Sequence, residues 1–158
     1  MVTKPNKPQE VRVIATNRKA THDYVIHDRV EAGLVLVGSE VKSLRDAKVV
    51  ISDGWVEIRK GQGYLHKIQI NEYSQANRWQ HEIERVRKLL LHRHELDKLE
   101  TKTTQKGFTL IPLSLYFKGS VVKVELALVT NKKQHDKRQS KKEADDKREM
   151  DRAVKRAR

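Results

Sequence analysis

The pattern that most restricts how this chain can fold is an alternation in its last third. Leu113, Leu115 and Phe117 alternate with Ser114 and Tyr116; beyond Lys118-Gly119, the residues Val122, Val124, Leu126 and Leu128 alternate with Val121, Lys123, Glu125 and Ala127. Successive side chains of a strand point to opposite faces, so a period of two predicts an antiparallel hairpin with one buried face and a turn at Lys118-Gly119. Pro112 has no N–H to give to a ladder and belongs at an edge or a bulge of that hairpin.

The preceding chain supplies more short elements. A strand is expected over residues 11–15, a basic turn at 17–20, and an extended segment over 24–37 bent near Ala32-Gly33, since glycine inside a strand often marks a bulge. Over 38–47 the period changes: Val41 and Leu44 are three apart and Ser39 is placed as an N-cap, which predicts a short amphipathic helix. Strands over 49–58 and 64–70, joined by Lys60-Gly-Gln-Gly63, read as a hairpin. Residues 71–87 have no clear period and predict a long exposed loop, followed by a strand at 88–91. A helix is expected over 92–106, with Gly107 as its stop. About six strands with two interspersed helices and no regular βαβ alternation favour a mainly β fold, a small antiparallel barrel. Among such barrels the oligonucleotide-binding (OB) fold suits a basic chain by analogy.

The two ends differ from this body. Residues 1–10 are polar and broken by Pro5 and Pro8, and are expected to be disordered, leaving 11–130 as the body. Residues 131–158 carry twelve bases against six acids, a net +6 of the chain's +13. Their few apolar residues are Ala144, Met150, Ala153, Val154 and Ala157. Burying a large apolar side chain is worth about 1.5–3 kcal/mol, whereas fixing the backbone costs about 1–2 kcal/mol per residue. The tail therefore cannot order itself by burial. It has a latent helix, because Glu143 with Lys147 and Asp151 with Lys155 stand at i,i+4 and no Gly or Pro follows Lys141. The expectation is a disordered basic tail that becomes helical on a polyanionic partner.

Net charge of this size makes nucleic acid the leading partner and an anionic membrane surface the second. No apolar run approaches a membrane span, and the start lacks a signal-peptide core, so the expected address is the cytoplasm. Without cysteine there is neither disulfide nor thiolate metal site, and no cofactor is expected. Gly61-Gln-Gly63 lacks the third glycine of a dinucleotide site, and no Walker loop is present. In the run from His94 to Lys98 a lysine stands where a zincin needs its second histidine, and His92 and His94 are expected on different helix faces. His22-Asp23 and His135-Asp136 are adjacent pairs, which are not expected to orient each other for acid–base catalysis. A nuclease is the remaining enzymatic reading, and the prediction is a binding protein without catalytic or metal residues.

Binding features are better represented. Asn17, Arg18 and Lys19 with His22 and Tyr24 combine an amide, cations and rings in one short stretch, the mixture that holds phosphates and stacks unpaired bases. Arg78-Trp79 is a similar pair, with Trp79 equally readable as core. Lys42, Arg45, Arg87, Lys88 and Lys123 are ordinary solvated charges unless they cluster on one face. Glu31 repels phosphate, yet its carboxylate can accept from base amines or orient a nearby cation.

With these residues in view, the chain resembles the SmpB family of SsrA-binding proteins, partners of transfer-messenger RNA. The resemblance rests on Ala15-Thr-Asn-Arg-Lys-Ala20, His22-Asp-Tyr24, Glu31-Ala-Gly-Leu34, Gly38-Ser-Glu-Val-Lys-Ser-Leu-Arg45, Arg87-Lys-Leu-Leu-Leu-His92, Pro112-Leu-Ser-Leu-Tyr-Phe117, Val122-Lys-Val-Glu125 and Lys132-Lys-Gln-His-Asp-Lys-Arg138. It implies an OB-fold body binding the tRNA-like domain of transfer-messenger RNA through Asn17, Arg18, Lys19, His22, Tyr24, Glu31 and Lys123. It also implies a tail whose Lys132, Lys133, His135, Asp136, Lys137 and Arg138 engage the ribosomal decoding centre. The tail then turns helical in the vacant mRNA channel, so that the pair rescues stalled ribosomes by trans-translation. The implied protein is a monomer in a one-to-one RNA complex. The runner-up is a structural RNA-binding protein of the ribosome. Three departures stand out. Asn131 replaces the glycine usual before the paired lysines, and a hinge is still expected because Asn tolerates positive φ. Ile83 and Val86 replace common prolines, and the loop after His81 is expected to be less rigid.

Overall fold

A computed structural model describes residues 8–76, 80–105 and 107–157, and only the backbone of 134–136. Residues 1–7, most of the segment expected to be disordered, lie outside it. In chain order the described elements are β1 (Val11–Thr16), α1 (Lys19–Asp23), β2 (Tyr24–Leu34), α2 (Gly38–Arg45), β3 (Val49–Val50), β4 (Trp55–Arg59), β5 (Gln62–His66), β6 (Gln69–Ile70), β7 (Arg87–Leu90), α3 (Arg93–Thr103), β8 (Thr109–Lys118), β9 (Val121–Asn131) and α4 (Gln134–Arg156).

The β8–β9 hairpin forms as its alternation requires. Its even-numbered residues from Val122 to Leu128 are buried together with Leu115 and Phe117, and the register pairs Lys118 with Val121 across a two-residue loop. Gly119 takes φ +62° in that loop. The register shifts between Pro112 and Ser114, so Pro112 sits beside a bulge as its missing N–H demands. From this hairpin the antiparallel pairings run β8-β4-β5-β7-β2-β9 and return to β8, with β1 added on β8. The main core includes Leu44, Leu65, Leu110, Leu115, Val124 and Leu126; across the bulge Leu113 turns to the other face, where a smaller cluster of Ala20, Ile111, Leu113, Ala127 and Val129 packs under α1.

Several boundaries differ from the sequence reading. The segments 49–58 and 64–70 each split: β3 pairs with β6 in a separate two-stranded sheet, and only β4 and β5 form the hairpin. Its loop is Lys60-Gly61, both with positive φ, the geometry that matches strand twist in a tight hairpin. The bulge of β2 lies between Ile26 and Asp28, not at Gly33. Gly33 serves close approach instead, since a Cβ there would stand 3.2 Å from Leu90 Cβ. Where a turn was expected at 17–20, residues Lys19–Asp23 close into the short helix α1. At α2 the N-cap is Val37, not Ser39; the Glu40 carboxylate reaches back to accept the Val37 N–H at 3.2 Å.

The tail is a single helix here, whereas disorder was the expectation for the free chain. Burial does not hold it: from Lys141 to Ala157 every residue is exposed. Local propensity and ion pairing are what remain, including Arg148 with Asp145 at 3.7 Å. Asn131 is not a hinge but the last residue of β9, paired with Tyr24, so the tail proper begins at Lys132.

Candidate nucleic-acid interface

Among the described residues, the predicted binding residues other than Asn17, Lys42, Arg45 and Arg87 fall into two clusters at opposite ends of the β2–β9 ladder. Tyr24 pairs with Asn131 at one end and Gly33 with Lys123 at the other. Nine residues of strand put these ends about 30 Å apart.

At the Gly33 end, Glu31, Lys88 and Lys123 line one groove together with Gln62, His92 and Arg93. Glu31 accepts from the Tyr116 hydroxyl and, at 3.3 Å, from Lys118 Nζ. The Tyr116 bond holds the Glu31 carboxyl below its usual range against the opposing effect of burial, with Lys118 and Lys123 adding to it. Burial and the bond to Glu31 in turn push the Tyr116 phenol up. Glu31 is thus an ionised organiser of neighbouring donors, the role its carboxylate permits. His92 and Arg93 were not foreseen as part of this groove. His92 was expected on a different face from His94, but as the N-cap of α3 it is not helical, and the two rings stack with centroids 5.7 Å apart.

At the Tyr24 end, α1 carries Arg18 as its N-cap and Lys19 and His22 on its exposed surface. His22 Nδ1 and Asp23 Oδ1 are 2.9 Å apart, so these adjacent residues do orient each other, contrary to the sequence reading. That bond, first, and Lys137 among nearby cations hold the Asp23 carboxyl low in spite of burial. The tail is rooted here: the Lys132 N–H donates to Asp23 O at 3.1 Å and Lys132 Nζ to Thr21 O at 2.8 Å. Lys137 Nζ lies 3.9 Å from Asp23. Lys133 and Arg138 are exposed. The side chains of His135 and Asp136, and the whole of Arg78 and Trp79, lie outside the described residues.

Two predicted residues are placed where they cannot touch a partner in this structure. Asn17 is buried, with Nδ2 donating to Pro112 O at 3.1 Å and its N–H to Leu113 O at 2.7 Å. It fills the backbone gap that the β8 bulge opens. Arg87 is fully buried and ion-paired with Glu40, also fully buried; its other nitrogens donate to Ile68 O at 2.8 Å and Ile83 O at 3.1 Å. Arg85 Nε adds a bond to Glu40 at 3.0 Å. This cluster, with His81 between Ser39 and the Ile70 carbonyl, ties the 80–87 part of the loop to α2, so Ile83 and Val86 stand in a segment that is held without proline. Lys42 is exposed on α2 in a separate groove, 5.7 Å from the Tyr73 ring. Arg45 is exposed at the end of α2, its carbonyl bonded by Arg12.

Among the described residues no cluster of three metal-ligating side chains occurs, and no helix is long and apolar enough to cross a membrane. Two basic ends on an antiparallel β body, with an exposed basic helix leaving one of them, define a polyanion-binding protein. The family model described as SmpB protein matches residues 14–156. The SsrA-binding protein of Streptomyces avermitilis is 50% identical over 143 residues, 90% of this chain and 81% of that one. That of Syntrophobacter fumaroxidans is 49% identical over 155 residues, 98% and 96% of the two. A chain of the solved structure described as "tmRNA-SmpB: a journey to the center of the bacterial ribosome" superposes with a TM-score of 0.65 at 41% identity, covering 81% of this chain and 87% of that one. The chain belongs to the SmpB family.

Proposed function

We propose that this chain is a non-enzymatic RNA-binding adaptor that grips the tRNA-like domain of transfer-messenger RNA and delivers it to stalled ribosomes for trans-translation. It works in the cytoplasm, as a monomer in a one-to-one RNA complex. The observation that carries this reading is the separation of the Glu31–Lys88–Lys123 groove from the root of the tail by the length of the β2–β9 ladder. One end can hold the tRNA-like fold while the other directs α4 away from it. A helix of 23 residues is about 35 Å long, a reach suited to probing a channel.

The body binds through lysines that displace counterions, so affinity is electrostatic and falls steeply with salt. The closed circuit of strands is read as the barrel of an OB fold. An isolated helix with no buried face is marginal in water. On this reading α4 frays in the free protein and becomes fixed where rRNA phosphates surround Lys132, Lys133, Lys137 and Arg138 with His135 and Asp136. An mRNA-filled channel leaves it no room, and an empty one admits it. Gel-shift competition tests the proposal: labelled transfer-messenger RNA should stay bound and intact in an excess of bulk tRNA. Displacement at equal concentration of tRNA would make the protein a general RNA binder, and cleavage of the label would make it a nuclease.

A further inference from the structure

We infer that the hydroxyl of Tyr116, outside the groove at the Gly33 end, is a positioning group for RNA binding: it ties the Glu31 carboxylate across β9 and so keeps Lys123 available for a phosphate. The inference rests on the RNA-binding reading and deepens it by assigning a role to a side chain behind the groove.

The strand register brings these groups onto one outward face. Lys123 on β9 has Gly33 of β2 on one side and Tyr116 of β8 on the other, and Glu31 stands opposite Glu125, one diagonal step from Lys123. Long side chains reach across such a diagonal, so a carboxylate and an ammonium placed in this way would ordinarily pair. Here they do not. Glu31 accepts from the Tyr116 hydroxyl and, at 3.3 Å, from Lys118 Nζ, and among the described residues no carboxylate is ion-paired with Lys123. The Lys123 ammonium lies over Gly33 instead, 3.7 Å from where a Cβ would stand there and beside Leu90 of the groove wall. Glu31 orients its two donors, and they in return draw its charge toward β8.

The sign of the field in the groove depends on where its acids are tied. Glu31 and Glu95 line it against Lys88, Lys123 and Arg93. Glu95 is committed to α3, where it accepts the His92 N–H at 3.0 Å, and Arg93 lies 3.3 Å from Asp97. Lys88 and Lys123 are therefore the cations left for a phosphate, and Glu31 is the acid that could neutralise one of them. The Tyr116 bond does most to hold the Glu31 carboxyl low against burial, with Lys118 and then Lys123 adding to it. Neither Tyr116 nor Lys118 is among the described residues that line the groove. Without the hydroxyl, only the exposed Lys118 competes with Lys123 for the carboxylate.

The test uses the full chain and Tyr116→Phe, which keeps the ring and loses the hydroxyl. The first measurement needs no RNA: acetylation of Lys123 by acetic anhydride at about pH 8, where lysine is mostly protonated, read by mass spectrometry against Lys42 in the separate α2 groove. Pairing with Glu31 should slow acetylation of Lys123 roughly two- to fivefold in Tyr116→Phe, the scale of an exposed ion pair. Adding Glu31→Gln should restore the wild-type rate, since a neutral amide no longer favours the charged lysine. The second measurement is a gel shift with labelled transfer-messenger RNA. Tyr116→Phe should bind roughly two- to fivefold more weakly than wild type, and should change nothing in a chain that already carries Lys123→Ala. Acetylation of Lys123 unaltered by Tyr116→Phe, or an equal loss of affinity in the Lys123→Ala background, overturns the inference and leaves the hydroxyl a structural group. The adaptor reading is judged separately: it falls if the wild-type chain fails to select transfer-messenger RNA over bulk tRNA, whatever the acetylation shows.

Discussion

Replacing Glu40 by alanine would strip the counter-charge from a guanidinium that has no route to water. Glu40 and Arg87 are both fully buried. Glu40 also accepts the Val37 N–H at 3.2 Å and Arg85 Nε at 3.0 Å, so one side chain caps α2 and anchors two arginines. Breaking a buried ion pair from one side costs about 3–5 kcal/mol, because the remaining charge stays desolvated. Domain stabilities are about 5–15 kcal/mol, so the loss should be plain in urea denaturation followed by circular dichroism at pH 7. The double variant Glu40→Leu with Arg87→Met removes both charges. It should lie within about 2 kcal/mol of wild type, the residual being the Ile68 and Ile83 carbonyls left without their donor and the Val37 N–H and half-exposed Arg85 left without their acceptor. The pH dependence has a definite sign. Burial pushes the Glu40 carboxyl up, but the bonds from Arg87 and Arg85 outweigh it and hold the group below its usual value. A depressed carboxyl stabilises fully above its unfolded value of about 4.3 and stops doing so as pH falls through the lower folded value. Wild type should therefore lose more stability below about pH 4 than the double variant does. A Glu40→Ala loss under about 1 kcal/mol, or a double variant as unstable as the single one, would refute the reasoning.

Other consequences concern the groove at the Gly33 end. Lys88→Ala and Lys123→Ala should each weaken transfer-messenger RNA binding and lower the slope of log affinity against log salt by about one for each phosphate no longer neutralised; an unchanged slope would place that lysine off the RNA. Glu31→Ala should weaken binding although it removes a negative charge, because Tyr116 and Lys118 lose the group that orients them; tighter binding would show a merely repulsive acid. Since the Tyr116 bond keeps that carboxyl low, its contribution should persist above its unfolded value of about 4.3 and fade only as pH falls further, which binding measured across mildly acidic buffers would show. Gly33→Val should lower stability by about 1–3 kcal/mol in urea denaturation, since its Cβ would crowd Leu90 at 3.2 Å.

The parts of the fold that were readable in the sequence are those whose burial leaves a period. The 115–128 stretch of the hairpin shows an alternating face to the main core, although the bulge turns Leu113 to the other face, where it is buried with Ala127; α2 and α3 show apolar residues three apart. Two-residue strands such as Val49–Val50 and Gln69–Ile70 are too short for any period, so the second sheet was invisible. Charged residues misled for a different reason. Arg87 reads as solvated because most arginines are, and only the fold brings Glu40 within reach across 47 positions of chain. Asn17 was readable as a polar group with a role, but not as one consumed by the backbone of the β8 bulge. Lys88 and Lys123 carried no local signal, since they meet only when β7 and β9 flank β2.

The central claim is that body and tail do separable work. A chain ending at Lys133 keeps all of β9 and the Lys132 anchor to α1 while removing α4. Its affinity for transfer-messenger RNA, measured beside peptide tagging on stalled ribosomes, tests the claim directly. Affinity within about threefold of the full chain, or roughly 0.6 kcal/mol, together with abolished tagging, is the result the two-part structure requires. Affinity that disappears along with the helix, or tagging that survives without it, would contradict it.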